Sequence, residues 1–334
     1  METSQSKWMS DLSETLANRR LNHIVVPGSH DSGARLINWS INPSLGDTIY
    51  QKVYNLAQHC KFVKNIIAAW TLTQELTVYD QLLLGIRNFD LRLACINDIF
   101  YLAHTYICDQ FETVLSDIVN FLRDYPNEVI FLQFRSDYEN RATMTREGND
   151  KVLDRLYTVL GSYFIPRPAD NRFPTLGEVL SGKDRVVLYY DGSHSERDYV
   201  WNERYLHDGW TTTTIVNKKL AFLTKKLKAM TRTSRNLNEL EFTLTADESD
   251  IVKDVIKRIT IPCRAHNSLK SLAQKIQAAL PAFINNNQTE TQKISVITTD
   301  FPTVDFVHNV ISINFEKSRQ VLLESRDPAS SGKS

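Results

Sequence analysis

Short apolar runs alternate with amphipathic helical stripes along nearly the whole chain, and this alternation limits the fold more than any other feature. Runs rich in β-branched and aromatic residues occur at 22–28 (NHIVVPG), 86–94 (IRNFDLRLA), 99–104 (IFYLAH), 128–135 (EVIFLQFR), 185–191 (RVVLYYD), 240–245 (LEFTLT) and 293–301 (KISVITTDF). Each is bounded by turn residues, as expected for strands buried on both faces. TTTTIV at 211–216 or KRITIPC at 257–263 would supply an eighth. Between them, 109–128 carries apolar residues at 111, 114, 115, 118, 121 and 122, a helical stripe that stops before Pro126. Segments 149–164 and 267–281 read the same way, the first running out near Gly161 and the second stopping before Pro281.

This pattern predicts one parallel α/β domain, a (β/α) barrel rather than a doubly wound sheet, since no glycine-rich nucleotide fingerprint follows a strand. The predicted layout is a flexible 1–6, a barrel over 7–325 and a disordered tail over 326–334 (RDPASSGKS).

Composition narrows the function. Lys+Arg and Asp+Glu balance at 39 each, without the basic excess of a dedicated nucleic-acid binder. The polar start, METSQSKWMS, lacks a secretory h-region, and no apolar stretch nears the roughly 20 residues of a membrane span. The four cysteines, Cys60, Cys95, Cys108 and Cys263, show no metal-ligand spacing and read as reduced thiols of a cytosolic protein.

In a parallel barrel, chemistry collects at the carboxyl ends of the strands. His30 follows the first strand, Asp90 and Arg92 lie late in the second, His104 ends the third, Arg135 the fourth and Asp300 the last. Asp90 and Arg92, two apart in a strand, share one face, with Phe89, Leu91 and Leu93 on the other. An Asp and an Arg pointing into a barrel are costly unless they pair or serve a ligand. Singly, each residue also fits a structural role: a satisfied histidine, an ion pair, a cap. Together, two histidines with carboxylate partners and an arginine fork describe a phosphoryl-transfer site that needs no metal.

Five stretches, in order, carry a family resemblance: KWMSDL…LNHIVVPGSHDSG, YDQLLLGIRNFDLRL, FYLAH, FETVLSDIVNFLRDYPNEVIFLQF and ISVITTDFPTVDFVHNVISIN. The chain resembles the phosphatidylinositol-specific phospholipase C X-domain proteins of the short eukaryotic kind, and is similar to the bacterial phosphatidylinositol-specific phospholipases C. The resemblance implies a distorted TIM barrel that cleaves phosphatidylinositol by attack of the inositol 2-hydroxyl on its own phosphorus, giving diacylglycerol and inositol 1,2-cyclic phosphate. It implies His30 as general base oriented by Asp300, His104 as general acid partnered by Asp31, and Arg92 as the phosphate-neutralising arginine. Asp90 belongs to the same cluster, and Arg135 stands where bacterial relatives place a substrate-contacting lysine. The calcium-dependent relatives carry Asn after the first histidine and an acidic pair on the second strand. Here Asp31 and Asp90-Leu91-Arg92 predict calcium independence and no cofactor. Many relatives have Gly where this chain has Thr105, a residue that would tighten or block the leaving-group approach.

A lipid substrate requires peripheral contact with a membrane. Trp39, Ile66, Ile67 and Trp70 in the 32–76 segment are one candidate contact; they equally fit a helix packed on the barrel. The 217–235 segment has seven basic residues and no acid, which fits an anionic surface or a barrel helix with a solvated face. Two other functions fit the residues: a non-catalytic phosphoinositide- or inositol-phosphate-binding barrel, and a metal-dependent glycerophosphodiesterase-like enzyme.

Overall fold

The computed structural model describes residues 5–41, 48–139, 143–202, 206–207, 210–260 and 267–324. Ten strands form one curled sheet: β1 Val26–Ser29, β2 Asn88–Ile96, β3 Ile99–His104, β4 Tyr106–Gln110, β5 Ile130–Glu139, β6 Val186–Asp191, β7 Val200–Trp201, β8 Leu206–His207, β9 Leu237–Glu241 and β10 Val296–Thr299. The order is β7-β6-β5-β2-β1-β10-β9-β8, with every pairing along it parallel. Among the described residues no pairing joins β7 to β8, so the barrel is distorted and open along that seam.

The outward faces of the strands carry the large core. Phe89, Leu91 and Leu93 point outward and are fully buried beneath the helices, and six of the seven apolar residues of the helix Phe111–Asp124 are buried with them. The inward face is polar at its upper end. Asn88, Asp90 and Arg92 stand in register with Phe131, Gln133 and Arg135 of β5, so these side chains share the interior. Gly28 is required there: a Cβ would lie 2.5 Å from Thr298 Oγ1.

The third predicted strand is not a stave of the parallel barrel. β3 runs antiparallel to β2 and to β4, forming a hairpin that extends beyond the barrel end and carries His104 over the rim. Asn97 and Asp98, both at positive φ (53° and 61°), make the two-residue turn. Two residues cannot span a parallel crossover, and paired positive φ values with Asn and Asp belong to a hairpin turn.

Other differences have equally local causes. The strand expected at 240–245 begins three residues earlier because Asn238 and Glu239, poor strand formers, are satisfied by tertiary partners: Asn238 Nδ2 donates to the Thr231 and Lys293 carbonyls. Neither candidate for the eighth strand is one. Thr213 makes a single bridge to Thr245, and 257–260 close the helix Glu248–Thr260, while 261–263 lie outside the described residues. The helix Leu269–Gln277 stops before Pro281 as expected, and Pro281 sits in the first turn of the next helix, Leu280–Asn286, where its missing N–H costs nothing. Gln5 and Ser6, expected to be flexible, form a 3₁₀ turn held by Arg87, which donates to the Ser6 carbonyl; residues 1–4 and the tail at 326–334 lie outside the described residues. Cys60, Cys95 and Cys108 are free thiols, and Cys263 is outside the described residues.

Thr105 links β3 to β4 as a single residue between paired His104 and Tyr106, at φ 64°. A β-branched residue is strained in this left-handed region, where glycine is not. Thr105→Gly is therefore expected to stabilise the fold by about 0.5–1 kcal/mol, read as a higher denaturant midpoint at unchanged slope. A lower midpoint would show that the hydroxyl or methyl makes up for the strain.

Candidate active site

The structure brings His30, Asp31, Asp90, Arg92, His104, Arg135 and Asp300 together at the carboxyl end of the barrel. His30 leaves β1 with its N–H bonded to the Thr299 carbonyl of β10, which places it beside Asp300. Its Nδ1 lies 2.8 Å from Asp300 Oδ1. A carboxylate only accepts, so Nδ1–H is the donor. Asp31 follows at φ 41°, a left-handed conformation that Asp tolerates, and the turn is tied down by Thr73 Oγ1 donating to the Asp31 carbonyl and Gln74 Nε2 to the His30 carbonyl. Gly33 allows the hairpin to close on this turn, since a Cβ there would sit 2.5 Å from Leu102 Cγ on β3. That packing carries His104 to within 6.5 Å of His30, ring centre to ring centre.

Asp31 and Arg92 stand between the histidines. Arg92 Nε is 2.6 Å from Asp31 Oδ1, and its terminal nitrogen is 3.3 Å from Asp90 Oδ2 and 3.1 Å from His30 Nε2. Asp31 Oδ2 lies 3.4 Å from His30 Nε2 and 3.3 Å from His104 Nε2. His104 Nδ1 donates to the Thr71 carbonyl at 2.6 Å, a backbone partner that no side-chain pattern advertises. Both nitrogens of His104 thus face acceptors, the arrangement of a proton donor. His30 differs in that its Nε2, besides facing Asp31 Oδ2, also meets the donor-only Arg92 guanidinium at 3.1 Å, a contact that fits an unprotonated Nε2.

Charge pulls against that second arrangement. Burial depresses the proton affinity of His30, but Asp31 and Asp300 override it and, against Arg92, raise its pKa to about 10. Near neutral pH this keeps both ring nitrogens protonated, so His30 must lose the Nε2 proton before it can accept one there. Asp90 is opposed by burial yet held below the usual carboxylate range by Arg92, Arg135 and His30. Arg135 reaches it at 3.6 Å.

His30, Asp31 and Asp90 are, among the described residues, a trio whose ligand-type atoms lie within 4.8 Å of one another. The Arg92 guanidinium touches all three and places a positive charge among them.

Two carboxyls on β9 escape sequence reasoning, Glu239 because the strand begins earlier than expected and Glu241 although it lies within the expected strand. Glu239 and Glu241 are buried, two apart, and stand in register with Val296 and Thr298 of β10, on the interior face. The signal that marked Asp90 and Arg92, charged residues alternating in a strand, was present there too. Thr298 Oγ1 donates to Glu239, and Gln133 Nε2 donates at 2.9 Å. Burial raises Glu239 to about 7; Glu241 and Asp90 add to this and the two donors oppose it. The native state thus holds a proton that an unfolded glutamate loses near 4.5. The resulting stability is full below about 4.5 and disappears as pH rises toward 7. Glu239→Gln should flatten stability across this window, removing a fall of about 3 kcal/mol or less. Parallel pH profiles of wild type and variant in urea would refute the assignment.

The residues proposed from sequence for membrane contact are mostly engaged internally. Ile67 is buried, Trp70 Nε1 donates to Asp254, and Trp39 stacks on Tyr54 beside Tyr106. In the basic segment, Val216–Ala229 is a barrel helix whose Lys218, Lys225 and Lys228 face solvent, with Lys219 turned inward. The 32–76 candidates follow the packing alternative, while the solvent-facing lysines fit either reading of the basic helix. No helix among the described residues is long and apolar enough to cross a membrane.

Residues 49–300 match the family described as PI-PLC X, a span that includes His104 and Asp300 but begins after His30 and Asp31. A PI-PLC X-box domain-containing protein of Dictyostelium discoideum is 33% identical over 187 residues, 55% of this chain and only 23% of that protein. PI-PLC X domain-containing protein 3 of Mus musculus is 25% identical over 331 residues, covering 94% of this chain and 97% of its own. In structure, phosphatidylinositol-specific phospholipase C of Listeria monocytogenes superposes with a TM-score of 0.62 at 18% identity, covering 93% of this chain and 99% of that one. The Staphylococcus aureus enzyme, as an F249X mutant, gives a TM-score of 0.62 at 20% identity over 93% and 98%. The fold is thus the distorted TIM barrel of the bacterial phospholipases, and with more than half of its length matched the chain belongs to the PI-PLC X family.

Proposed function

We infer that the protein is a phosphodiesterase that cleaves phosphatidylinositol to diacylglycerol and inositol 1,2-cyclic phosphate without a metal ion. The observation that carries this reading is the pair of histidines 6.5 Å apart across Arg92 and Asp31, with Arg92 against His30 Nε2 and acceptors against both nitrogens of His104. The inositol 2-hydroxyl oxygen attacks phosphorus while its proton passes to His30 Nε2. The bond from phosphorus to the glycerol oxygen breaks, and that oxygen takes the proton from His104 Nε2. Asp300 fixes the tautomer of His30, and Asp31 holds His104. Arg92, released from His30 when phosphate enters, offers its fork to the non-bridging oxygens, with Arg135 beside it. Because nucleophile and phosphorus belong to one molecule, proximity is already provided and the protein supplies proton transfer and charge.

Calcium independence rests on the same arginine, which fills the position a cation would need. The membrane would be met peripherally. Phosphorus NMR of phosphatidylinositol vesicles with the pure protein in excess EDTA tests the whole reading. A cyclic phosphodiester signal is the expected result. Product only after calcium is restored would overturn the metal-free mechanism, and no product in either condition would leave a lipid-binding barrel.

A further inference from the structure

Three ammonium groups converge on a cavity outside the site described above. It measures about 160 Å³ and is walled by three helices: Lys61–Thr71 from the segment that leaves β1, and Glu248–Thr260 and Leu269–Gln277 from the segment that leaves β9. Lys253, Lys257 and Lys275 line it, together with Trp70, Asn267 and Thr214. None of these lysines makes an ion pair with a carboxylate among the described residues. Lys253 donates to Ser249 Oγ at 3.3 Å and Lys275 to Asn267 Oδ1 at 3.4 Å, both neutral acceptors. All three lysines are exposed, so the cavity is open to solutes.

The carboxylates of the wall are largely committed. Asp254 is buried and accepts from Arg258 Nε at 2.6 Å, from Trp70 Nε1 at 3.1 Å and from the Asn267 backbone N–H at 3.0 Å. Its charge is thus met by Arg258. Asp250 accepts from Thr214 Oγ1 at 3.3 Å and offsets one ammonium at most. Two positive charges remain. Lys253 and Lys257 also stand four apart on one helix, a like-charge spacing that costs helix stability. A phosphate monoester answers this arrangement, with nearly two negative charges at neutral pH and three acceptor oxygens for the ammonium donors. We propose that the cavity binds a phosphate monoester group, carried by a soluble inositol phosphate or by a lipid headgroup, apart from the His30–Arg92 centre. Binding there does not require the barrel to cleave lipid.

Trp70 supplies the reporter, because its indole N–H borders the cavity through Asp254. Trp70 also precedes Thr71, whose carbonyl holds His104, so the test must separate this cavity from the catalytic centre. The indole resonance, assigned by its loss in Trp70→Phe, is followed by NMR during titration with inorganic phosphate, and with chloride at matched ionic strength. Wild type should show a saturable shift with phosphate alone. Lys253→Gln/Lys275→Gln should weaken phosphate binding by about tenfold or more, the scale of losing two hydrogen bonds to a charged group. Both lysines are exposed, so the core is untouched. Lys225→Gln/Lys228→Gln, on the neighbouring basic helix, should bind as wild type. No shift, an equal shift with chloride, or equal weakening in both double variants would overturn the proposal. A shift that survives in Lys253→Gln/Lys275→Gln would place phosphate at the catalytic centre and overturn it as well. The source is then read in two arms. Inositol 1-phosphate binding with the same lysine dependence assigns a soluble ligand. Co-sedimentation with phosphatidylcholine vesicles only when they contain phosphatidic acid, lost in the same variant, assigns a lipid headgroup. Binding of neither would overturn the assignment to a monoester.

Discussion

Replacing His30 with alanine should slow cleavage of phosphatidylinositol by on the order of 10³- to 10⁴-fold, and His104→Ala should do so to a similar degree. The two losses differ in kind. His30 accepts the proton of the attacking hydroxyl, and no property of the leaving group can replace it. His104 protonates the departing oxygen, so a substrate whose leaving alcohol is as acidic as a phenol should recover most of its rate in His104→Ala and little in His30→Ala. The roles follow from partners: His30 donates from Nδ1 to Asp300 at 2.8 Å and at Nε2 meets the Arg92 donor as well as Asp31, whereas His104 meets the Thr71 carbonyl and Asp31. His30→Gln, which keeps a donor for Asp300, controls for loss of structure. Turnover within tenfold of wild type for either alanine variant would end the two-histidine mechanism, and equal rescue of both would show that the roles are not divided.

Arg92→Lys should cost about 10²- to 10³-fold in kcat/KM, the scale of losing a charge-stabilising donor aimed at the transition state. The substitution keeps the charge and removes the fork. Arg92 now spans Asp31 through Nε at 2.6 Å and reaches Asp90 and His30 through a terminal nitrogen, three contacts from one planar group. A lysine ammonium is a single point at the end of a flexible stem and cannot hold both carboxylates while facing two phosphate oxygens. The loss should appear mainly in kcat, since negative charge on the phosphate builds up in the transition state. Unchanged kinetics would make Arg92 a structural counter-ion to Asp31 and Asp90.

Much of this architecture was readable in the chain because it depends on neighbours in sequence. Asp90 and Arg92 are two apart in a strand and so point the same way wherever that strand lies, and the helix Phe111–Asp124 buries the six positions its periodicity marks. His30 and Asp300 were legible as residues that follow strands. The hairpin turn at Asn97-Asp98 was written in two residues that favour positive φ, and only the parallel reading of the strands around it was at fault. The shifted β9 hid Glu239, since strand propensity disfavours a residue that is kept there by Gln133 and Thr298 from other strands.

By itself, then, the sequence determined the class of fold, the local facing of paired side chains and the candidate residues of the rim, because these follow from the periods of strands and helices and from turn chemistry. Tertiary structure alone decided which atoms meet. It set the Thr71 carbonyl against His104, placed Arg92 on the three groups that would otherwise attract a cation, and turned Lys219 inward from a helix that reads as solvated and basic. Such contacts join residues tens to hundreds of positions apart, and their distances and charges exist only once the strands are in register and water has been excluded from between them.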